Sequence, residues 1–247
     1  MKTDKYQRRF YRDWVKAKDL YSMRVVIKET DLQVLTDKTI DKAFIDARVN
    51  SYRRDIESYI SKDSRFLTSL KPIEVELHAP AVVREMARQA KKVNVGPMAG
   101  VAGAIAQYLG KDILKRGARE VIIENGGDIF LKIKKNRNIA IYAGNSILSG
   151  KLCLRIKSKD TPLGIATSSG TVGHSLNFAC ADAVVILAKN AILADVVATA
   201  TSNLVKTRQD FKKAIDFAKK VSGVSGLVII MKNSLASWGK IEFLKHA

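Results

Sequence analysis

The sequence predicts an α+β fold built mainly on antiparallel sheet, and three observations carry that prediction. Short apolar runs of strand character follow one another in hairpin-like groups, helical stretches fall between the groups, and no short-period repeat is visible. A doubly wound parallel fold would instead alternate strand and helix along the whole chain. With 247 residues, 47% hydrophobic and 27% charged, the chain can bury a sizeable core, read as a single domain over 1–247 with a basic arm at 1–18. Aromatic residues are only 7%, so that core must rest on Ile, Leu, Val and Ala.

Composition also narrows the function classes. The 43 Lys and Arg against 24 Asp and Glu give a formal charge of +19, which invites a nucleic-acid reading. Yet the cations are scattered over "RRFYR", "YRRD", "KIKKNRN" and "DFKKAIDFAKK", so a lysine-rich solvated surface is the expectation and a nucleic-acid-binding protein the third-ranked reading. Cys153 and Cys180 share no metal or redox spacing. The N-terminus "MKTDKYQRRFYRDWVK" lacks the apolar core of a secretory signal, and no window approaches 18 consecutive apolar residues. A cytoplasmic protein with no membrane partner is expected, and a homo-oligomer is left open.

The elements follow in order. "LYSMRVVIKETDLQVLTD" reads as a hairpin around its polar centre, and "TIDKAFIDARVNSYRRDIESYI" as an amphipathic helix that Thr39 could cap. "KPIEVEL" alternates like a strand, and "APAVVREMARQAKK" opens a helix near Pro80 and ends in lysines that suit its dipole. "VGPMAGVAGAIAQYLGKDIL" carries no charge until Lys111, which predicts a buried helix whose small side chains let another backbone approach. "REVIIENGGDIFLKIKKNRNIAIYAG" reads as a three-stranded meander, with further strands in "GKLCLRIKS", "LGIATSS" and "DAVVILA". "AILADVVATATSNLV" is a second helix of small residues, "RQDFKKAIDFAKKV" a basic amphipathic one, and "GLVIIMK" and "GKIEFLKH" close the chain as strands. The two small-residue helices could mark two related halves.

Three stretches could carry chemistry. In "ENGGDIF", Gly126 and Gly127 supply the positive φ a hairpin needs; equally, bare backbone there would let a flat ligand lie close, with Glu124, Asn125 and Asp128 around the bend. "GIATSSGTVGHSLNF", residues 164–178, has no formal charge, and Thr167, Ser168, Ser169, Gly170 and Thr171 could form a backbone nest for phosphate, although no Walker lysine follows. His174 has no His or Cys neighbour at metal spacing and is either structural or catalytic; Cys180 reads as a small buried thiol and Asp182 as the start of a strand. In "ADVVATATSN", Asp195 and Thr199 stand at i and i+4, two hard oxygen ligands of the kind Mg²⁺ takes, or else a capping Asp and a back-bonding Thr.

Taken in order, "GPMAGVAGAIA", "ENGGDI", "GIATSSGTVGHS" and "LADVVATATSN" resemble an uncharacterised family of the ApbE-like superfamily, whose named members are FAD:protein FMN transferases. The resemblance runs from "KETDL" to "WGKIEF". It implies a T-fold-like α+β architecture, FAD or FMN as the bound flavin nucleotide, Mg²⁺ assisting pyrophosphate cleavage, and a partner protein as acceptor of FMN. It also implies Asp195 and Thr199 as metal ligands, Gly126, Gly127 and Asp128 in the nucleotide site, the loop after Ser168 at the phosphates, and His174 near the place of the transferases' histidine. Two departures stand out: "SLNFACADA" follows His174 where the transferases have Asp-Pro-x-Thr-Gly, and Gly103 stands where they carry a lysine. A lost cation removes charge stabilisation from a pyrophosphate site, so the resemblance supports flavin binding more directly than FMN transfer, and a non-catalytic binder of a nucleotide or partner protein is the alternative.

Overall fold

A computed structural model describes residues 17, 19–170 and 180–245. The chain runs β1 (Tyr21–Ile27), β2 (Thr30–Thr36), α1 (Lys42–Lys62), α2 (Arg65–Thr68), α3 (Ala81–Lys91), a 3-10 turn (Pro97–Gly100), α4 (Val101–Lys115), β3 (Val121–Asn125), β4 (Asp128–Lys132), β5 (Arg137–Ala140) and β6 (Leu152–Ile156). It continues through β7 (Leu163–Ser168), β8 (Ala183–Ala188), α5 (Ala191–Asn203), α6 (Phe211–Lys219), β9 (Val224–Met231), β10 (Ser234–Gly239) and β11 (Phe243–Lys245). The result is the expected α+β fold. An eight-stranded sheet in the order β1-β2-β3-β4-β7-β8-β9-β10 has every neighbouring pair antiparallel. A second sheet has three strands, β11-β6-β5.

Two hairpin pairs flank helices twice along the chain. β1–β2, helices, β3–β4 form one side of the large sheet, and β7–β8, helices, β9–β10 form the other, meeting where β4 pairs with β7. The small-residue helices do not occupy matching places in these halves, since α4 is the last helix before β3 and α5 the first after β8.

The sheet is covered on both faces, which explains why its strands read as near-continuous apolar runs. In β8, Val184, Ile186 and Ala188 pack beneath α5 and α6, while Ala183, Val185 and Leu187 face the three-stranded sheet. Phe130 of β4 likewise joins the α4 side, and its neighbours Ile129 and Leu131 join the other. Fully burying one such aliphatic side chain contributes about 1.5–3 kcal/mol.

Four local expectations change. α1 is capped by the Asp41 carboxylate, which accepts the Ala43 N–H at 2.9 Å, rather than by Thr39. "KPIEVEL" forms no strand; Ile73 and Val75 instead pack against the cluster of Phe66, Val82 and Met86. β5 leaves the meander to pair with β6. The expected strands in "GLVIIMK" and "GKIEFLKH" form as β9 and the short β11, but a further strand the sequence did not mark, β10 in "SLASWG", stands between them. Among the described residues no helix is long and apolar enough to cross a membrane.

Candidate functional site

The β3–β4 connection is a two-residue turn: Asn125 faces Asp128 in the ladder, and Gly126 and Gly127 hold φ of 69° and 103°. Positive φ at both positions is the I′ hairpin geometry, so the glycines do serve the turn. The same turn also has outward contacts. The Gly127 N–H donates to Glu124 Oε1 at 2.8 Å, and Asn125 Nδ2 donates to the Ala102 carbonyl at 3.2 Å, in the first turn of α4. A side-chain carbon at Gly127 would stand 3.8 Å from Cβ of Thr167, so the turn lies against the end of β7. Glu124, Asn125 and Asp128 are buried, whereas Thr167, Ser168, Ser169 and Gly170 are half-buried along the neighbouring strand end. The Gly170 N–H donates to the Ala181 carbonyl at 3.0 Å. Thr171 and His174 lie outside the described residues.

Asp195 approaches the same place from α5. Its Oδ2 accepts the N–H of Gly103 at 2.9 Å, so it caps the third residue of α4, not its own helix. The cap of α5 is Asn190, whose side chain accepts the Leu193 N–H at 2.8 Å. In return, Gln107 Oε1 of α4 accepts the Ala191 N–H of α5 at 2.9 Å. The two helices thus cap each other through buried side chains. Gly103 makes this approach feasible, because a Cβ there would meet the Ala191 carbonyl oxygen at 2.4 Å. No lysine fits that position.

Burial pushes the Asp195 carboxyl up to about 7, with the Gly103 N–H opposing the rise. Thr199 is half-buried one turn further along α5, and its hydroxyl forms no back-bond to the Asp195 carbonyl. Among the described residues no three His, Cys, Asp or Glu side chains gather as a metal cluster. The pair still offers two hard oxygens, Asp195 Oδ1 and Thr199 Oγ1. That donor set fits a magnesium ion whose remaining positions come from phosphate and water, a shell that Mg²⁺ commonly keeps.

Sequence reasoning singled out the β3–β4 turn, the Thr-Ser-Ser-Gly strand end and Asp195; the turn and Asp195 both reach the start of α4, and the strand end lies against the turn. It missed Asn190 and Gln107. Asn190 stands directly before an apolar run, a usable cap signal, and Gln107 is the lone amide in "GVAGAIAQYLG". Cys180, read as buried, is exposed, while Cys153 is the buried thiol. Asp182 does stand just before β8, where it accepts the Lys232 N–H at 2.5 Å.

Two hairpin–helices–hairpin halves joined across β4–β7, with a glycine turn and a carboxylate at the join, define an ApbE-like α+β protein. The solved flavinyl transferase ApbE of Pseudomonas stutzeri has this fold, with a TM-score of 0.62 over 89% of this chain and 94% of that one at 14% identity. The flavin transferase ApbE of Vibrio cholerae gives 0.61 over 89% and 96% at 13% identity. Residues 12–235 match the family described as AbpE bacteria, and the chain belongs to it. Among its relatives, the UPF0280 protein MJ1526 of Methanocaldococcus jannaschii is 39% identical over 91% of this chain and 93% of its own length. The UPF0280 protein of Methanococcus vannielii is 36% identical over 92% and 93%.

Proposed function

We propose that the chain binds a flavin nucleotide, FAD or FMN, where the β3–β4 turn, the end of β7 and α5 meet. The observation that carries this reading is that Asn125 and Asp195 both reach the first turn of α4, from β3 and α5, while Thr167 at the end of β7 stands against Gly127 of the same turn. In this reading the bare backbone of Gly126 and Gly127 admits the flat ring, Asn125 and Asp128 fix the turn and supply polar edges, and the hydroxyls of Thr167, Ser168 and Ser169 face the phosphates. Gly170 and Thr171 continue that phosphate loop, and His174 stays a candidate proton carrier outside the described residues. When bound at Asp195 and Thr199, Mg²⁺ supplies charge neutralisation at the pyrophosphate.

The likeness to flavinyl transferases supports a further step: an acceptor hydroxyl on a partner protein bonds to the FMN-side phosphorus as the bond to AMP breaks. Binding without turnover is the second reading, and Gly103 favours it, since α4 can place no cation at the pyrophosphate. The experiment is FAD titration of the purified protein, followed by FMN and AMP release with Mg²⁺ varied, for wild type and Asp195→Asn. Metal-dependent release that Asp195→Asn abolishes supports the transferase chemistry. Bound flavin with no release under any metal leaves the binder, and no flavin bound at all defeats both.

A further inference from the structure

Ion pairs are unevenly spread over the molecule. Around α1, α3 and the first hairpin, cations have carboxylate partners, as Arg24 with Asp31, Arg48 with Asp112 and Arg88 with Glu85. From Leu204 to Lys245 the chain has nine Lys or Arg against only Asp210, Asp216 and Glu242. A groove of about 580 Å³ opens along α6 in this region, with Leu204 and Phe217 as its apolar surface and Lys212, Lys213 and Lys220 around it. Lys212 is held by Asp216 at 2.7 Å, while Lys213 and Lys220 are exposed and form no ion pair among the described residues.

α5 links the groove to the site, with Asp195 in its N-terminal half and Leu204 at its other end. Leu204 is the C-cap of α5, and the adjacent Val205 carbonyl accepts the Cys180 N–H at 3.1 Å, where the chain returns from the Thr-Ser-Ser-Gly segment. We infer that this groove docks an acidic segment of a protein partner, one that sets carboxylates on Lys213 and Lys220 and an apolar side chain between Leu204 and Phe217. A polypeptide suits it better than a nucleic acid for two reasons. The surface between the lysines is apolar, and the Asp216 carboxylate interrupts what would otherwise be a continuous track for phosphates. The inference does not depend on which ligand occupies the proposed flavin site.

The test is fluorescence anisotropy at physiological salt with two labelled probes. One is a peptide of Glu and Asp interspersed with Leu and Phe; the other is a single-stranded oligonucleotide of similar charge. Wild type should bind the peptide more tightly than the oligonucleotide. Lys213→Glu with Lys220→Glu should weaken peptide binding at least tenfold, and Phe217→Ala should weaken it with the charge intact. Arg54→Glu with Lys71→Glu, on exposed positions elsewhere, should leave it unchanged. Melting curves of each variant separate lost docking from lost folding, and FAD titration of the same variants reads the proposed flavin site independently. Tighter binding of the oligonucleotide, peptide binding indifferent to the groove changes, or no binding of either probe would each overturn the inference.

Discussion

At the scale of single residues, the metal role proposed for Asp195 conflicts with its place in the fold. As a buried acceptor for the Gly103 N–H it needs no charge, and burial raises its pKa from 3.8 to about 7. Between those values the native chain keeps a proton that the unfolded chain has released. The contribution is fully present below pH 3.8 and is lost as pH rises through about 7. Asp195→Asn keeps an acceptor for Gly103 without a charge to bury, so thermal melts without metal should show it at least as stable as wild type at pH 8. Asp195→Ala leaves the amide unsatisfied and should cost about 1–3 kcal/mol. A bound cation favours the carboxylate, so Mg²⁺ with FAD should raise the wild-type melting temperature at pH 8 and leave Asp195→Asn far less affected. Equal stabilisation of both proteins would remove Asp195 from the metal site.

At the scale of elements, α4 and α5 depend on each other for their first turns. Gln107→Leu removes the acceptor for the Ala191 N–H and should cost about 1–3 kcal/mol by denaturant melt. Gly103→Ala forces a methyl to within 2.4 Å of a carbonyl oxygen and should cost more than that ordinary lost bond; Gly103→Lys should give little folded protein. Recovery of folded, more active protein from Gly103→Lys would show that the helices can part to admit a cation. The burial of α4 was legible from its uncharged run, but its cap was not, because Gly103 and Asp195 lie 92 residues apart. "KPIEVEL" misled for a related reason: alternation marks a segment able to pair, and the partner strand is decided elsewhere. The hairpin turn at Gly126–Gly127 was legible because its φ requirement is local.

At the scale of the whole molecule, protection should follow the layers. Amide hydrogen exchange should be slowest in β8, buried on both faces and paired on both sides, and faster in β10, whose residues alternate between half-buried and exposed at the sheet edge. Comparable rates in the two would mean that the sheet opens as one unit. FAD at about a hundred times its dissociation constant should add roughly 2.7 kcal/mol to unfolding. The α+β class was legible because successive hairpins are a pattern of the chain itself, whereas the site depends on contacts between its distant parts. The meeting of β4 with β7 places Gly127 and Asn125 in one hairpin–helices–hairpin unit and Thr167 and Asp195 in the other. Neither unit alone holds all the residues of the proposed site, so a chain severed between β4 and β7 should bind flavin only when both pieces are present together, and flavin binding by one piece alone would move the site into that piece.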